Sequence, residues 1–586
     1  LCPIFRKNGV LMRLTSCKIS LTPFEANRDE QRIKSMANGK EENATTLFLP
    51  TGSSQADMSK RWKNKSVLAS GKWVKISVKE EGIYQLTAKQ LKQNGFADIN
   101  RVKIYGYGGR MIPETWDFTS DNQTPDDLCE VSTYISDDKL FFFAEGTTRW
   151  TSTRHENNPY STVSCYFVTE GDQPLRIATS QQTSSSSVSC AVITHHVVLD
   201  SDEAGFYEGG RELYDGHNFA EGNSHTFKLA TPSIMPSGTA NVDIAFAASS
   251  KTTTSVGIIL NNAYKLPSIS VSAYGSDESA RESRKSYDIP TSRFAETNAF
   301  KFTVNPVATS RLNYIRIHYP RQLKATDAPY AFSPEMSGSL KLKIADATSH
   351  SQLWQIANGK NHTVRMQATL SKTDTLEANV ADGTQRFVVF NDNQTYPSPA
   401  FLGVVGNQNL HADSLVQMVI IIPSDGKFLS EANRLAEAHR KHQNLNVKVV
   451  TAMQLYNEFS SGTPDASAYR RYLKMLYDRA ATTADAPQHL LFMGPSVWDN
   501  RLLTTSFQGK NPDNYLLIFE VSHNATNSLS SSLSIGDLYS YTTDDFFSWL
   551  DDGEGVNYGA NKPDISIGRF PCPTTAEAAV MVNKSI

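Results

Sequence analysis

The chain has 586 residues, of which 39% are hydrophobic and 20% are charged, and its formal net charge is −3. This composition is that of a globular protein, and the length suits roughly three to five domains. The near-neutral charge gives no electrostatic footprint for nucleic acid. No stretch approaches the roughly eighteen uncharged apolar residues of a membrane-spanning helix.

A polar N-terminal segment is followed by two regions whose patterns are typical of β-structure. Residues 1–65 are polar with few periodic apolar positions, so we expect a poorly ordered N-terminal segment there. Residues 66–190 alternate apolar and polar side chains between turn residues, which predicts a β-rich, sandwich-like domain with one short helix at 87–94. The same alternation over 191–410 predicts a second β-rich domain with trailing strands.

The pattern changes in residues 411–586. The near-continuous apolar run 415–422 predicts a strand that is buried on both faces of a parallel sheet. Phe428, Ala432 and Leu435 share one face of a following helix, and Asp465 is a good N-cap for a later one. Strands predicted at 446–451 and 488–494 complete a βαβαβ succession. This predicts an α/β domain with a mostly parallel sheet and helices on both faces.

The last residues form the start of another helix. Thr574 and Glu577 have the spacing of a capping box, and no stop signal precedes Ile586. We therefore expect the chain to be a fragment that ends inside the α/β domain. Residues 410–586 on their own are predicted not to fold stably, because they would expose an edge strand and the apolar face of the last helix.

Ligands of open parallel sheets gather at the carboxyl ends of the strands. Three loops qualify here: 423–426, 494–501 and an acidic segment. The acidic segment is a weak candidate for a calcium site, but its spacing is not that of an EF-hand, and a turn at 551–553 is the favoured interpretation. The calcium candidates are Asp544, Asp545, Asp551, Asp552 and Glu554.

The six cysteines are too scattered for a disulfide framework. Only Cys165 and Cys190 are placed to bridge within one domain, and free buried thiols are the favoured alternative. Cys572 lies between two prolines without a nearby histidine, which favours a structural role.

The thirteen histidines show no metal-binding spacing. The pairs His195 with His196 and His439 with His442 are interpreted as surface or core residues. The glycine-rich stretch 105–109 has no Rossmann unit around it, which favours a tight turn at a strand end. No complete triad, dyad or metal site can be assembled from these residues.

Several motifs together resemble one enzyme family. Segments 456–470, 490–501, 544–555 and 563–569 occur in the order found in the gingipain family of cysteine peptidases, which the chain resembles. Upstream, the segments 70–78, 104–109, 126–130 and 158–162 resemble the β-rich front of the family's sortase branch, which serves the type IX secretion system of Bacteroidetes.

This resemblance implies a caspase-like α/β fold and a catalytic His and Cys, both expected downstream of Ile586. It also implies an exported enzyme at the cell surface or outer membrane. Such a sortase cuts C-terminal sorting domains from secreted cargo and passes the acyl group to an anionic lipopolysaccharide, working with other secretion-system components. A gingipain-like secreted endopeptidase and a non-catalytic adhesin or assembly protein are the alternatives. One departure is Gly494-Pro495, where relatives commonly carry Gly-Asp.

Overall fold

The computed structural model divides the chain into two units, Leu1–Phe48 and Leu49–Ile586. The structure describes residues 58–116, 124–151, 153–180, 186–209, 211–275, 279–326, 328–357, 362–521, 541–555 and 561–586, together with the backbone of 4–7 and 10–13. In the first unit, Ile4–Lys7 pairs antiparallel with Val10–Arg13. The segment 1–65, predicted to be poorly ordered, lies largely outside the described residues, as do Cys2 and Cys17.

The first sandwich packs a five-stranded sheet against a three-stranded one. Ile76, Ile104, Leu140 and Phe142 are among the apolar side chains buried between them. The helix Ala88–Gln93 follows directly from a strand because Thr87 and Gln90 form a capping box. The larger sheet has the strand order Ala400–Val405, Trp73–Val78, Ser164–Glu170, Val102–Tyr105, Glu130–Val131. The smaller sheet has the order Gly82–Thr87, Lys139–Ala144, Tyr134–Ser136. A separate hairpin pairs Thr148–Trp150 with His155–Asn157.

The second sandwich has two four-stranded antiparallel sheets. In the strand Thr297–Asn305 exposed and buried positions alternate, and Phe300 and Phe302 enter the core. One sheet has the order Val192–Asp200, Thr309–Gln322, Thr239–Ser249, Arg281–Pro290, and the other the order Ser224–Ala230, Thr297–Asn305, Thr254–Leu260, Tyr264–Val271.

A third sandwich occupies the rest of the predicted second β-rich region. Its two sheets enclose Leu342, Leu353 and Phe387, among other side chains. Arg386 forms ion pairs with both Glu81 and Glu145 of the first sandwich. The sheets have the orders Ser189–Cys190, Leu340–Ile344, Leu376–Val380, Ala368–Leu370 and Ala331–Phe332, Phe387–Asn391, Ser351–Gln355, Val364–Arg365.

The range 191–410 thus contains two sheet pairs, and its last strand, Ala400–Val405, belongs to the first sandwich, where it pairs with Trp73–Val78.

Residues 411–586 contain a four-stranded parallel sheet that is covered by helices on both faces. The strand Met418–Ile422 is buried along its whole length, as its apolar sequence predicts. Met418, Ile420 and Ile422 pack against one helical layer, and Val419 and Ile421 pack against the other. The sheet order is Val447–Thr451, Met418–Ile422, His489–Met493, Ser566–Phe570, and the helices are Leu429–Gln443, Ala452–Phe459, Ser467–Arg479 and Thr575–Ser585.

The predicted fold class, β-rich modules followed by an α/β segment with a parallel sheet, is confirmed. One helix boundary differs from the prediction: the helix begins at Ser467, although the carboxylate of Asp465 still accepts a hydrogen bond from the Ser467 amide at 2.8 Å. The remaining short elements are the paired strands Phe519–Glu520 and Thr542–Thr543 and the 3-10 turns Ser59–Arg61, Val67–Ala69, Ile99–Arg101, Thr291–Arg293, Leu410–Ala412, Pro512–Asn514 and Asp545–Ser548.

Candidate functional site

The carboxyl ends of the parallel strands meet at one edge of the α/β sheet, where the sequence predicts a site. The Gly494 amide donates to the Phe570 carbonyl at 3.0 Å, and the Asp425 amide donates to the Asp513 carbonyl at 3.0 Å. Gly494 has a φ of +151°, and a Cβ added there would lie 2.6 Å from Pro423 Cγ. Only glycine therefore fits between these two loops without displacing one of them.

The loop after the third strand is held in place although it carries Pro495 in place of an aspartate. The Pro495 carbonyl accepts a hydrogen bond from the Leu516 amide at 2.9 Å. Asp499 accepts from both the amide and the hydroxyl of Thr504, at 2.7 and 2.8 Å. The side chain of Asn500 makes two 3.0 Å hydrogen bonds with the backbone of Ile518. These hydrogen bonds hold the loop in a chain that has no carboxylate at position 495.

Two of the calcium candidates are engaged by basic side chains. Arg569 donates to Asp544 through two nitrogens, at 2.8 and 2.6 Å. Asp552 accepts two hydrogen bonds from Arg61, at 2.9 and 2.7 Å, and lies 2.8 Å from the ammonium of Lys474. Both carboxylates are therefore already neutralised by the protein.

The other three candidates serve local structure. Asp545 opens a 3-10 turn, Asp551 accepts from the Tyr477 hydroxyl at 3.1 Å, and Glu554 accepts from the Asp551 amide at 3.1 Å. The Glu554 bond closes the turn at 551–553. Among the residues that the structure describes, no group of three or more acidic, histidine or cysteine side chains is placed to hold a metal ion.

The four described cysteines are free thiols. Cys165 is a buried residue of the strand Ser164–Glu170 in the first sandwich, whereas Cys190 lies in the core of the third sandwich, and the disulfide considered for this pair is not formed. Cys572 is buried, its thiol donates to the Phe570 carbonyl at 3.3 Å, and burial raises its pKa. A raised pKa disfavours the thiolate that a nucleophile needs.

The histidines that the sequence singled out lie apart from the cysteines. His195 packs against Tyr330, with ring centres 4.7 Å apart, and His196 stacks on Trp150 at 3.8 Å. His439 contacts Gln443 at 2.6 Å, and His442 is exposed. Within the described ranges no hydrogen bond joins a histidine to a cysteine.

Sequence reasoning missed His411, which is fully buried between two carboxylates. Its Nδ1 lies 2.6 Å from Glu458 and its Nε2 lies 3.1 Å from Asp126. Burial alone would lower the pKa of this imidazole, but the hydrogen bonds that it donates to Asp126 and Glu458 outweigh the effect of burial and raise the pKa to about 9. His411 is therefore an imidazolium at neutral pH, and it ties residue 126 of the first sandwich to the α/β segment.

The motif 456–470 makes further contacts with the first sandwich. The Ser461 hydroxyl accepts from the Tyr107 amide at 2.9 Å, and Thr463 accepts from the Cys165 amide at 2.9 Å. Asp465 accepts from the Ile112 amide at 2.9 Å, and burial raises its pKa to about 6. A Cβ on Gly106 would lie 3.0 Å from the Ser461 hydroxyl. The glycine-rich turn and this motif are thus two sides of one interface.

Arg470 closes the same interface from the helix Ser467–Arg479. Its guanidinium donates to the carbonyl oxygens of Trp549, Glu114 and Glu554, at 2.6, 2.6 and 3.0 Å. Burial lowers its pKa to about 9. One side chain therefore fastens the acidic segment and residue 114 to the helix. Several motifs that resemble the peptidase family meet here, where they position domains.

A comparison with family models decides the identity of this part of the chain, because residues 411–586 match Peptidase family C25. Residues 411–586 are a domain of peptidase family C25. The C25 domain includes the parallel sheet and the strand-end loops described above. A comparison of the sequence with curated proteins finds no match.

Solved structures extend the similarity upstream of the C25 domain. Dimeric latent PorU from Porphyromonas gingivalis matches 89% of this chain at 27% identity with a TM-score of 0.78. The chain spans 50% of that PorU chain. A family 35 carbohydrate-binding module from Cellvibrio japonicus covers 22% of the chain at 11% identity and a TM-score of 0.17, too weak a likeness to bear on function. No helix in the described ranges has the length and apolarity needed to span a bilayer.

Proposed function

We propose that this chain is part of a cysteine peptidase of the PorU type, a sortase of the type IX secretion system. The observation that carries the proposal is the similarity to PorU, which covers 89% of the chain and so extends well beyond the C25 domain into the β-rich front. A C25 domain alone would fit any gingipain-like peptidase. The shared β-rich front is what favours the sortase branch.

In this proposal the described residues form a scaffold for the reaction. The C25 domain contributes four parallel strands whose carboxyl ends are aligned by Gly494, Asp499 and Asn500. The sandwiches hold that domain through His411, Asp465 and Arg470. A catalytic His and Cys in the full-length protein would stand outside residues 1–586, next to this edge.

The chemistry of a sortase follows from those two residues. A thiolate attacks the peptide carbonyl at the border of the cargo's sorting domain, and the imidazolium protonates the leaving amine. The resulting thioester then reacts with an acceptor amine, here proposed to belong to anionic lipopolysaccharide, and releases the thiolate. We place the enzyme at the outer-membrane surface, where cargo, acceptor and other secretion components meet.

A thiol-directed active-site probe tests the peptidase. The full-length protein should be labelled at one cysteine that mass spectrometry maps outside residues 1–586, and the 586-residue chain should stay unlabelled when folded. Labelling of the 586-residue chain that disappears in Cys572→Ser would contradict the proposal, because it would place the nucleophile on Cys572.

Product analysis distinguishes transfer from hydrolysis. Cargo with a C-terminal sorting domain, incubated with full-length enzyme and an acceptor amine, should give an amide product whose mass includes the acceptor. Exclusive formation of the free carboxylate would assign a gingipain-like hydrolase instead. Cargo that stays intact would favour a non-catalytic adhesin or assembly protein.

A further inference from the structure

A charged cavity of ≈ 320 Å³ lies where the first sandwich, the second sandwich and the C25 domain meet. Its volume is at the lower end of the roughly 300–1,000 Å³ typical of small-molecule sites. Among the side chains that line it are five carboxylates and six guanidinium groups. Arg501, which follows the C25 loop residue Asn500, reaches into it and pairs with Asp202 at 2.6 Å.

Most of these charges neutralise one another. Five of the six arginines form ion pairs, three with lining carboxylates and two with acidic residues just outside. Within the described part of the chain, Asp200 and Glu212 form no ion pair with an arginine or lysine. The ion pairs are Arg211 with Glu114, Arg501 with Asp202, Arg149 with Glu156, Arg316 with Asp243 and Arg284 with Glu282.

The histidine beside Asp200 does not neutralise it. His155 Nε2 lies 2.8 Å from Asp200, and Arg316 Nη1 lies 3.2 Å from His155 Nδ1. A guanidinium only donates hydrogen bonds, so Nδ1 accepts and the proton sits on Nε2. Burial, and then Arg316, lower the pKa of His155 to about 4. The imidazole is therefore neutral, and Asp200 receives a hydrogen bond from it without a compensating charge.

The hydrogen-bonded series Asp200–His155–Arg316 has an unsatisfied polar atom at each end. Asp200 Oδ1 and Arg316 Nε are both buried and have no hydrogen-bond partner among the residues that the structure describes, and the side chains of Asp200 and Arg316 are only 11% and 6% exposed. Buried polar atoms without partners are costly, so a ligand or water is expected to supply them. A ligand that satisfies both must offer a donor to Asp200 and an acceptor to Arg316.

The electrostatic environment of these atoms determines which sign of charge the ligand should carry. Burial and the nearby Asp202 hold the pKa of Asp200 well above its usual range, which shows that a negative charge there is poorly compensated. Glu212 lines the same cavity, and within the described residues it forms no ion pair. A cation between the two would relieve the repulsion. Metal ions fit poorly, because no described group of three or more suitable ligands is placed to hold one.

We propose that this cavity binds a small organic cation of the size of a basic amino acid, with its ammonium or guanidinium group between Asp200 and Glu212. The carboxylate of such a ligand would accept from Arg316 Nε. This site goes beyond the proposed peptidase activity and does not depend on it. Because the cavity walls come from three modules, its occupant would also stabilise their arrangement.

Calorimetric titration of the 586-residue chain tests the site with matched ligands. L-arginine should bind saturably. Agmatine, which has no carboxylate to accept from Arg316, and L-citrulline, which has the shape of arginine with a neutral urea group, should each bind at least about tenfold more weakly, as expected for hydrogen bonds to a charged group. Binding of L-arginine should release protons, because a cation lowers the pKa of Asp200. Equal binding of citrulline and arginine, or no saturable binding by any of the three, would overturn the proposal and leave a water-filled cavity.

Variants locate the binding. Asp200→Asn and Glu212→Gln should each weaken L-arginine binding by about tenfold or more, while Glu203→Gln, an exposed carboxylate next to Asp202 that does not line the cavity, should leave it unchanged. Glu212 is exposed, so its variant should fold even where Asp200→Asn does not. Undiminished affinity in a folded Glu212→Gln protein would refute the assignment.

Discussion

The Nδ1 atom of His411 lies 2.6 Å from a carboxylate oxygen of Glu458, and both side chains are fully buried. The second carboxylate partner, Asp126, belongs to a loop of the first sandwich. A buried imidazolium between two carboxylates is stabilising only while it stays protonated. One buried ion pair between the first sandwich and the C25 domain therefore depends on the protonation of His411.

We expect stability to fall with rising pH because of this histidine. Its folded pKa of about 9 exceeds the ordinary value of 6.5, so its contribution is fully present below pH 6.5 and is lost as the pH rises through about 9. The shift corresponds to about 3 kcal/mol. The free energy of unfolding can be measured with denaturant below pH 6.5 and again above about pH 9. Between these two conditions the wild type should lose about 3 kcal/mol more than His411→Gln does.

The exposed His442 provides the control for this pH series. His442→Gln should reproduce the wild-type pH profile, because that side chain is exposed to solvent. If wild type and His411→Gln lost the same stability over the whole range, the buried ion pair would not contribute to folding.

Arg470 should be the most sensitive position of the interface. Arg470→Met removes the donor for three carbonyl oxygens, and although it relieves the burial of a charge, we expect a net loss of about 3 kcal/mol. Arg434→Met, on the exposed face of the helix Leu429–Gln443, should change stability by less than about 0.5 kcal/mol. Similar unfolding midpoints for the two variants would show that the guanidinium is not needed there.

Elements that are specified by residues close together in the sequence were mostly predicted correctly. The capping box of Thr574 and Glu577 starts the last helix, and the apolar run 415–422 contains the buried strand Met418–Ile422. Such elements are predictable because neighbours within a few residues determine them.

Contacts between segments that are far apart in the sequence could not be predicted from such short-range signals. His411 lies 285 positions from Asp126, so nothing near it in sequence indicates a buried ion pair. The pairing of Ala400–Val405 with Trp73–Val78 likewise joins the two ends of the β-rich region. The glycine-rich turn at 105–109 was correctly placed at a strand end, but its partner Ser461 lies in the C25 domain.

Gly494 should tolerate no side chain. Gly494→Ala would place Cβ 2.6 Å from Pro423 Cγ, so one strand-end loop must move, at a cost of about 1–3 kcal/mol. Gly406→Ala is the matched control, because a Cβ there meets nothing within 4 Å. Thermal unfolding compares the two variants, and equal melting temperatures would mean that the loops adjust freely.

Calcium is expected to leave the chain's stability unchanged. Arg569 neutralises Asp544, and Arg61 and Lys474 neutralise Asp552, so a cation would have to displace protein partners. A calcium concentration of about 1 mM equals the dissociation constant of the weakest extracellular calcium modules. The melting temperature at that concentration should equal the melting temperature with a chelator. A rise of several degrees with calcium would show that the acidic segment rearranges into a site.

The C25 segment is expected to need the first sandwich in order to fold. Its contacts with that sandwich include the hydrogen bonds that Ser461, Thr463 and Asp465 accept from backbone amides, and each contributes about 1 kcal/mol net. Trp62 and Tyr160, from upstream of the domain, also complete its apolar core. Together these terms are comparable with the roughly 5–15 kcal/mol that stabilise a typical domain. Residues 410–586 alone should show no cooperative thermal transition by circular dichroism, whereas residues 58–586 should show one. A cooperative transition of the isolated segment would mean that its own sheet and helices suffice.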